Sequence, residues 1–210
     1  MSKYCDYARE NILTAIYQTV GIELPGMAFS EVKDIVENRP NNIPYEDVLI
    51  VKGIKRTWEY TVEEAGNIPL ELDTILYYNF LLMEDLMLGA GKLRIQPVII
   101  TGTSYVPPMP SEKAVEETLA VIRSEQNPLR QGAKWFAYAA KSQWFRDGNK
   151  RTAAMLANHY LMQNDCGLFL LPDTVTRDSQ EFVQNLIEYY DSDDIEAFVD
   201  WLVDEAIVTI

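Results

Sequence analysis

Histidine is almost absent from this 210-residue chain, with His159 alone, which rules out any metal site built from a histidine cluster of this chain. Cysteine is nearly as rare, at Cys5 and Cys166 only. No apolar run approaches the roughly 18 residues that a bilayer-spanning helix requires. The N-terminal stretch, with Lys3, Asp6, Arg9 and Glu10, lacks a hydrophobic signal segment, so the expected location is cytoplasmic. Basic residues are also short: 18 stand against 32 acidic ones, for a formal net charge of −14. That balance argues against a broad surface for nucleic acid or anionic membrane, and any phosphate site must be local. What remains is an ordinary globular composition, 48% hydrophobic and 11% aromatic, with no repeat, low-complexity tract or long flexible linker.

Helical periodicity dominates the chain. Ala8, Ile12, Ile16 and Val20 recur every four residues and predict an amphipathic helix over residues 5–20, closed by Gly21. Phe29-Ser30 reads as a staple and N-cap for a short second helix, and Pro44 opens a third that Gly53 weakens. Gly66 sits where a helix end favours left-handed backbone. Leu72, Ile75, Leu76, Phe80, Met83 and Met87 predict a long buried helix stopping near Gly89-Ala90-Gly91. The period then changes. Gln96 to Ile100, a turn at Thr101-Gly102, and Tyr105-Val106-Pro107-Pro108 predict a β-hairpin whose second arm the prolines confine to an edge. Helices resume from Ser111 and from Pro128, and two acidic amphipathic helices carrying Phe182, Leu186 and Tyr190, then Ile195, Phe198 and Leu202, finish the chain. The expected fold is mainly α, with one small hairpin.

The stretch Gln143-Trp144-Phe145-Arg146-Asp147-Gly148-Asn149-Lys150-Arg151 breaks this pattern. Asp, Gly and Asn in a row do not continue a helix, yet a clean helical pattern follows from Thr152, so the stretch reads as a tight loop feeding a helix N-terminus. Main-chain N–H groups, the positive end of the helix dipole and the adjacent Lys150 and Arg151 make a local anion site. Asp147 could hold a divalent cation that bridges phosphates.

These residues resemble the loop of the Fic family (the Fido fold), whose pattern is His-x-Phe-x-(Asp/Glu)-Gly-Asn-(Gly/Lys)-Arg between two helices. Tyr105-Val106-Pro107-Pro108 resembles the family's flap, and Thr61 to Asn67 is similar to its inhibitory helix, Ser/Thr-x-x-x-Glu-Gly-Asn. The resemblance spans about residues 57 to 165. It implies a Fic-like helical domain over 57–210, with 1–56 as an N-terminal helical extension packed on the core in a single structural unit. It also implies AMP transfer from ATP to a Ser, Thr or Tyr hydroxyl of a target protein. Asp147 would hold Mg2+ on the phosphates, Gly148, Asn149 and Lys150 would line the anion hole with Arg151 beside it, and Phe145 would anchor the loop in the core. Ser104, Tyr105 and Val106 would hold the target by strand-like pairing.

Three positions depart from that pattern. The family's general base is Gln143 here, and an amide cannot accept a hydroxyl proton near neutral pH; losing a positioned base costs on the order of 10²- to 10⁴-fold in rate. A second arginine of many members is Ala154, and the inhibitory glutamate aligns with Ala65. Gly-Asn-Lys-Arg-Thr-Ala is closer in wording to the Doc branch, which transfers a γ phosphate but keeps its histidine. The expectation is a protein that binds ATP and Mg2+ with impaired or lost transfer. The alternatives are an active transferase or kinase with a substitute base, and an interaction module that has lost nucleotides. The expected partners are a nucleotide and a target protein at the flap. Tyr77, Tyr78, Trp135 and Trp144 read as core or groove wall, and His159 as a surface or packing residue of its helix.

Overall fold

The computed structural model describes residues 2–171 and 181–210. Among these described residues, ten helices and two short strands run in the order α1 (Lys3–Glu10), α2 (Ile12–Val20), α3 (Phe29–Val36), α4 (Tyr45–Glu64), α5 (Leu72–Met83), α6 (Glu112–Arg123), α7 (Pro128–Ser142), α8 (Asn149–Gln163), β1 (Leu168–Phe169), α9 (Glu181–Ser192), α10 (Ile195–Glu205) and β2 (Ile207–Val208). The molecule is mainly helical, as the periodicity predicts. Among the described residues no helix is long and apolar enough to cross a membrane.

Helix α8 lies at the centre. Ala153, Ala154 and Ala157 give it a narrow surface, so α7, α5 and α4 all approach it closely, and it is buried all round. Around it Trp58 of α4 is fully buried and donates to Thr19 Oγ1 of α2 at 2.9 Å, while Phe136 of α7 stacks on Phe169 of β1 at 4.6 Å. Gly53 does not weaken α4. A Cβ there would sit 2.5 Å from the Leu82 carbonyl oxygen, so glycine is what lets α4 and α5 touch, and α4 runs unbroken through it. The same continuity crosses the expected 56/57 division, and residues on both sides share one core.

Other boundaries shift for local reasons. The first predicted helix is two, because Asn11 turns its side chain back onto the Tyr7 carbonyl at 2.9 Å and breaks the run. Helix α3 is capped by Glu31, which accepts from Ala28 N at 2.7 Å, and Ser30 lies inside the helix. The hairpin reading of residues 96–108 needs correction. The segment is extended around a turn at Thr101-Gly102, with Gly102 at φ 91°, but its arms form no ladder. The hydrogen-bonded pair lies elsewhere, where β1 and β2 pair antiparallel with Leu168 opposite Val208 and Phe169 opposite Ile207.

Candidate functional site

Helix α7 ends where Gln143 takes left-handed backbone, φ 47° and ψ 53°, and α8 begins after Gly148 at φ 75°. Trp144 and Phe145 between them are buried, as expected for core anchors, so the turn that follows is pinned at its base. Asn149 holds the turn closed. Its Oδ1 accepts from Phe145 N at 2.9 Å, and its Nδ2 donates to Phe145 O at 2.9 Å and to Gln143 Oε1 at 3.1 Å. The Gln143 Nε2 donates to Ala140 O at 2.7 Å, so both ends of that amide are engaged within the fold. The Asp147 Oδ1 accepts from Gly148 N at 2.6 Å, which leaves its other oxygen toward solvent on a side chain that is 60% exposed.

Two residues that the sequence reading missed support the loop from behind. Asn79 of α5 donates to Asp147 O at 3.0 Å and Thr152 Oγ1 at 3.2 Å, and accepts from Gly91 N at 3.0 Å. Its signal was present: an amide inside the buried stripe of α5 must find partners. Arg94 has no comparable local signature. Its main-chain N donates to Trp144 O at 2.9 Å and its buried guanidinium to the carbonyls of Gln143 (2.6 Å), Gln96 (3.0 Å), Pro107 (3.1 Å) and Pro108 (2.5 Å). One side chain thus ties the start of the loop to both arms of the 96–108 segment.

The two predicted cations separate. Lys150 faces a cavity of 420 Å³ together with Arg146, Gly148, Asn149 and Gln143, closed on the far side by Tyr190 of α9. Arg151 is 1% exposed and does not line it. Its Nε lies 3.3 Å from Glu23 Oε2 and its Nη2 3.6 Å from Asp147 Oδ1, while the buried Nε and Nη1 lack hydrogen-bond partners. The arrangement sets the Lys150 and Arg146 cations at the N-terminus of α8, with the Glu23 and Asp147 carboxylates also at the pocket.

The flap residues are gripped by α9. Asp191 Oδ1 accepts from Thr103 Oγ1 at 2.5 Å and from Ser104 N and Oγ at 3.2 Å each, bonds that hold its carboxyl below the usual range. Tyr105 N donates to Thr103 Oγ1 at 3.0 Å, and the Tyr105 ring lies under Lys141 Nζ at 4.9 Å. Two of the three main-chain donors expected to meet a target are therefore engaged internally; Val106 stays exposed.

Residues 69–161 match the Fic/DOC family model. This stretch is a Fic-family domain. Fic domains generally transfer nucleotide-derived groups to proteins. The fold is similar to that of a Fic domain containing signaling protein from Bacteroides thetaiotaomicron, at 16% identity and a TM-score of 0.72 over 97% of this chain and 87% of that one. It is also similar to Fic-1 from C. elegans (22% identity, TM-score 0.73, 94% of this chain) and to a Fic family protein from Desulfovibrio desulfuricans (21%, 0.73, 93%). Of these two proteins the chain spans 60% and 62% of the length. What it shares with all three at these identities is the fold.

The inhibitory-type segment, Thr61 to Asn67, just before the matched residues, is not at the loop. Thr61 and Ala65 are fully buried, Gly66 and Asn67 are exposed, and Gly66 does not take the left-handed backbone expected of it. The Ile68 carbonyl accepts from His159 Nε2 at 3.0 Å and Gln163 Nε2 at 3.2 Å, which sets this segment beside the last turns of α8, roughly 15 Å from its N-terminus. The carboxylate that does reach the loop is Glu23. The same Ser/Thr-x-x-x-Glu spacing occurs at Thr19 and Glu23, followed by Leu24-Pro25 in place of Gly-Asn, and that repeat was the missed signal. His159 is a packing residue. Since Ile68 O can only accept, Nε2 carries the proton and Nδ1 accepts from Tyr78 OH at 2.9 Å; burial pushes the imidazole pKa down to about 4.

Proposed function

We infer that this Fic domain binds a nucleotide triphosphate at the Arg146–Lys150 loop, and a target protein beside it, while transferring AMP slowly or not at all. The observation that carries this reading is the state of Gln143. In the position of the family's base stands an amide with both ends hydrogen-bonded, to Ala140 and Asn149, next to a pocket lined by Lys150, Arg146 and the α8 N-terminus. Such a site retains the electrostatics of phosphate binding and lacks the imidazole that would take the hydroxyl proton.

Magnesium fits on limited terms. Among the described residues no cluster of three or more carboxylate, imidazole or thiol ligands exists, so a protein-only cage is ruled out there. Magnesium needs only one or two carboxylates when phosphates complete its shell, and Asp147 presents a free oxygen at the loop. Asp147 would hold the ion, which when bound would neutralise phosphate charge. Lys150 and the first amides of α8 hold the phosphate oxygens, and Asn149 keeps the loop in register.

Titration calorimetry with Mg-ATP is expected to show binding; none at millimolar nucleotide overturns the reading. In Gln143→His the returned imidazole is expected to restore transfer of α-labelled phosphate from ATP to a lysate protein. Label from the γ position would mark a kinase instead. Transfer by the unaltered chain at a rate equal to Gln143→His would refute the loss of the base as the limiting defect.

A further inference from the structure

A second groove, 620 Å³, runs between the Gly89–Gly91 turn and the extended arm that ends at Ile99. Its aliphatic side chains stand in water: Leu88 is 98% exposed, Ile95 89% and Ile99 97%. Monomeric proteins rarely leave large aliphatic groups side by side in solvent unless something covers them. Its charges have one sign. In a chain with 32 acidic residues none lines this groove, whereas Lys92, Arg94 and Arg146 do. Arg94 is committed to carbonyls, but Lys92 and Arg146 have no ion-pair partner among the described residues. The arm between the groove and the loop pocket is an open edge, since among the described residues Val98, Ile99 and Ile100 have no main-chain hydrogen-bond partner. Arg146, Val98 and Ile99 line both cavities, so a segment laid along the arm ends at the mouth of the loop.

We propose that this groove takes an extended segment of a target protein in which an aliphatic side chain is flanked by carboxylates, with main-chain pairing to Val98–Ile100. The proposal rests on the target-binding half of the reading above and moves the pairing edge from Ser104–Val106 to the first arm. The aliphatic side chain covers Leu88, Ile95 and Ile99, and the carboxylates meet Lys92 and Arg146. A second copy of this chain would bring its own net charge of −14 to the contact, whereas a short segment brings only the charges these two cations meet.

The test is an array of ten-residue peptides with a central Leu or Ile and flanking Glu or Lys, probed with the full chain. Glu-flanked peptides should be retained. The double variant Lys92→Glu, Arg146→Glu should lose about tenfold in affinity for them and turn to the Lys-flanked set. Equal capture of both sets, or capture of neither, overturns the proposal. So does a dimer in sedimentation velocity that Ile99→Asp dissolves, because the occupant is then a second copy. Mg-ATP calorimetry on the same sample keeps the two readings apart. Nucleotide binding without peptide selection refutes the groove alone, and peptide selection without nucleotide binding supports the groove and refutes the nucleotide site.

Discussion

Between Gln143 and Arg151 the loop side chains are largely committed to neighbours inside the fold, whereas Ile95 and Ile99 keep aliphatic groups in water and Val98 to Ile100 have main-chain groups without partners among the described residues. The two regions face the same pocket. One is a preorganised cradle whose geometry is set before any ligand arrives; the other is a surface whose free energy falls only when something lies on it. The difference predicts that the proposed phosphate and target sites are separable by mutation everywhere except at Arg146, which lines both cavities. Changes behind the loop should cost stability, and changes on the arm should cost binding alone.

The largest expected effect comes from Arg94. Arg94→Ala strands the carbonyls of Gln143, Pro107 and Pro108 and should lower stability by about 4 kcal/mol in urea unfolding. A loss under about 1 kcal/mol would show that the loop does not depend on this support. Next comes acid. His159 has a folded pKa of about 4 against an ordinary 6.5, so the unfolded chain binds the proton first; the contribution is full above pH 6.5, declines as pH falls, and is gone by about pH 4. It amounts to about 3 kcal/mol, and His159→Gln should flatten that part of the stability profile. Gly148→Ala combines a positive φ with a Cβ 2.8 Å from Met83 Sδ and should cost about 2 kcal/mol, together with weaker Mg-ATP binding. On the arm, Ile99→Asp should leave the unfolding midpoint within about 0.5 kcal/mol of the unaltered chain; a larger loss would break the contrast between the regions. Smallest is Asp191→Ala, which should speed hydrogen exchange at the Ser104 amide and leave global stability unchanged.

The helices were legible because an apolar stripe with a 3.6-residue period is a local property, and the caps at Ser111 and Asn127 lie within a turn of what they cap. The loop was legible for the same reason: Asp147, Gly148 and Asn149 announce a turn before a helix by their own backbone preferences. The hairpin was misread because alternation and a glycine turn report that a chain is extended, not that its arms are close enough to pair. Arg94 bridges them instead, so that carbonyls of both arms meet its guanidinium and not each other. Gly53 was misread because helix propensity speaks against glycine, while close packing of α4 on α5 requires it.

The roles of the charged residues followed a different logic. Residue identity alone established that position 143 carries no group able to take a proton near neutral pH, since an amide cannot titrate there in any fold. It could not establish which of Lys150 and Arg151 meets solvent, because adjacent side chains on a helix point 100° apart and burial depends on what else packs there. Nor could it show that Glu23, 128 residues away in sequence from Arg151, would reach it while Ala65 would not. Charge pairing across such separations is set by how helices pack, and that arrangement exists only in the folded chain.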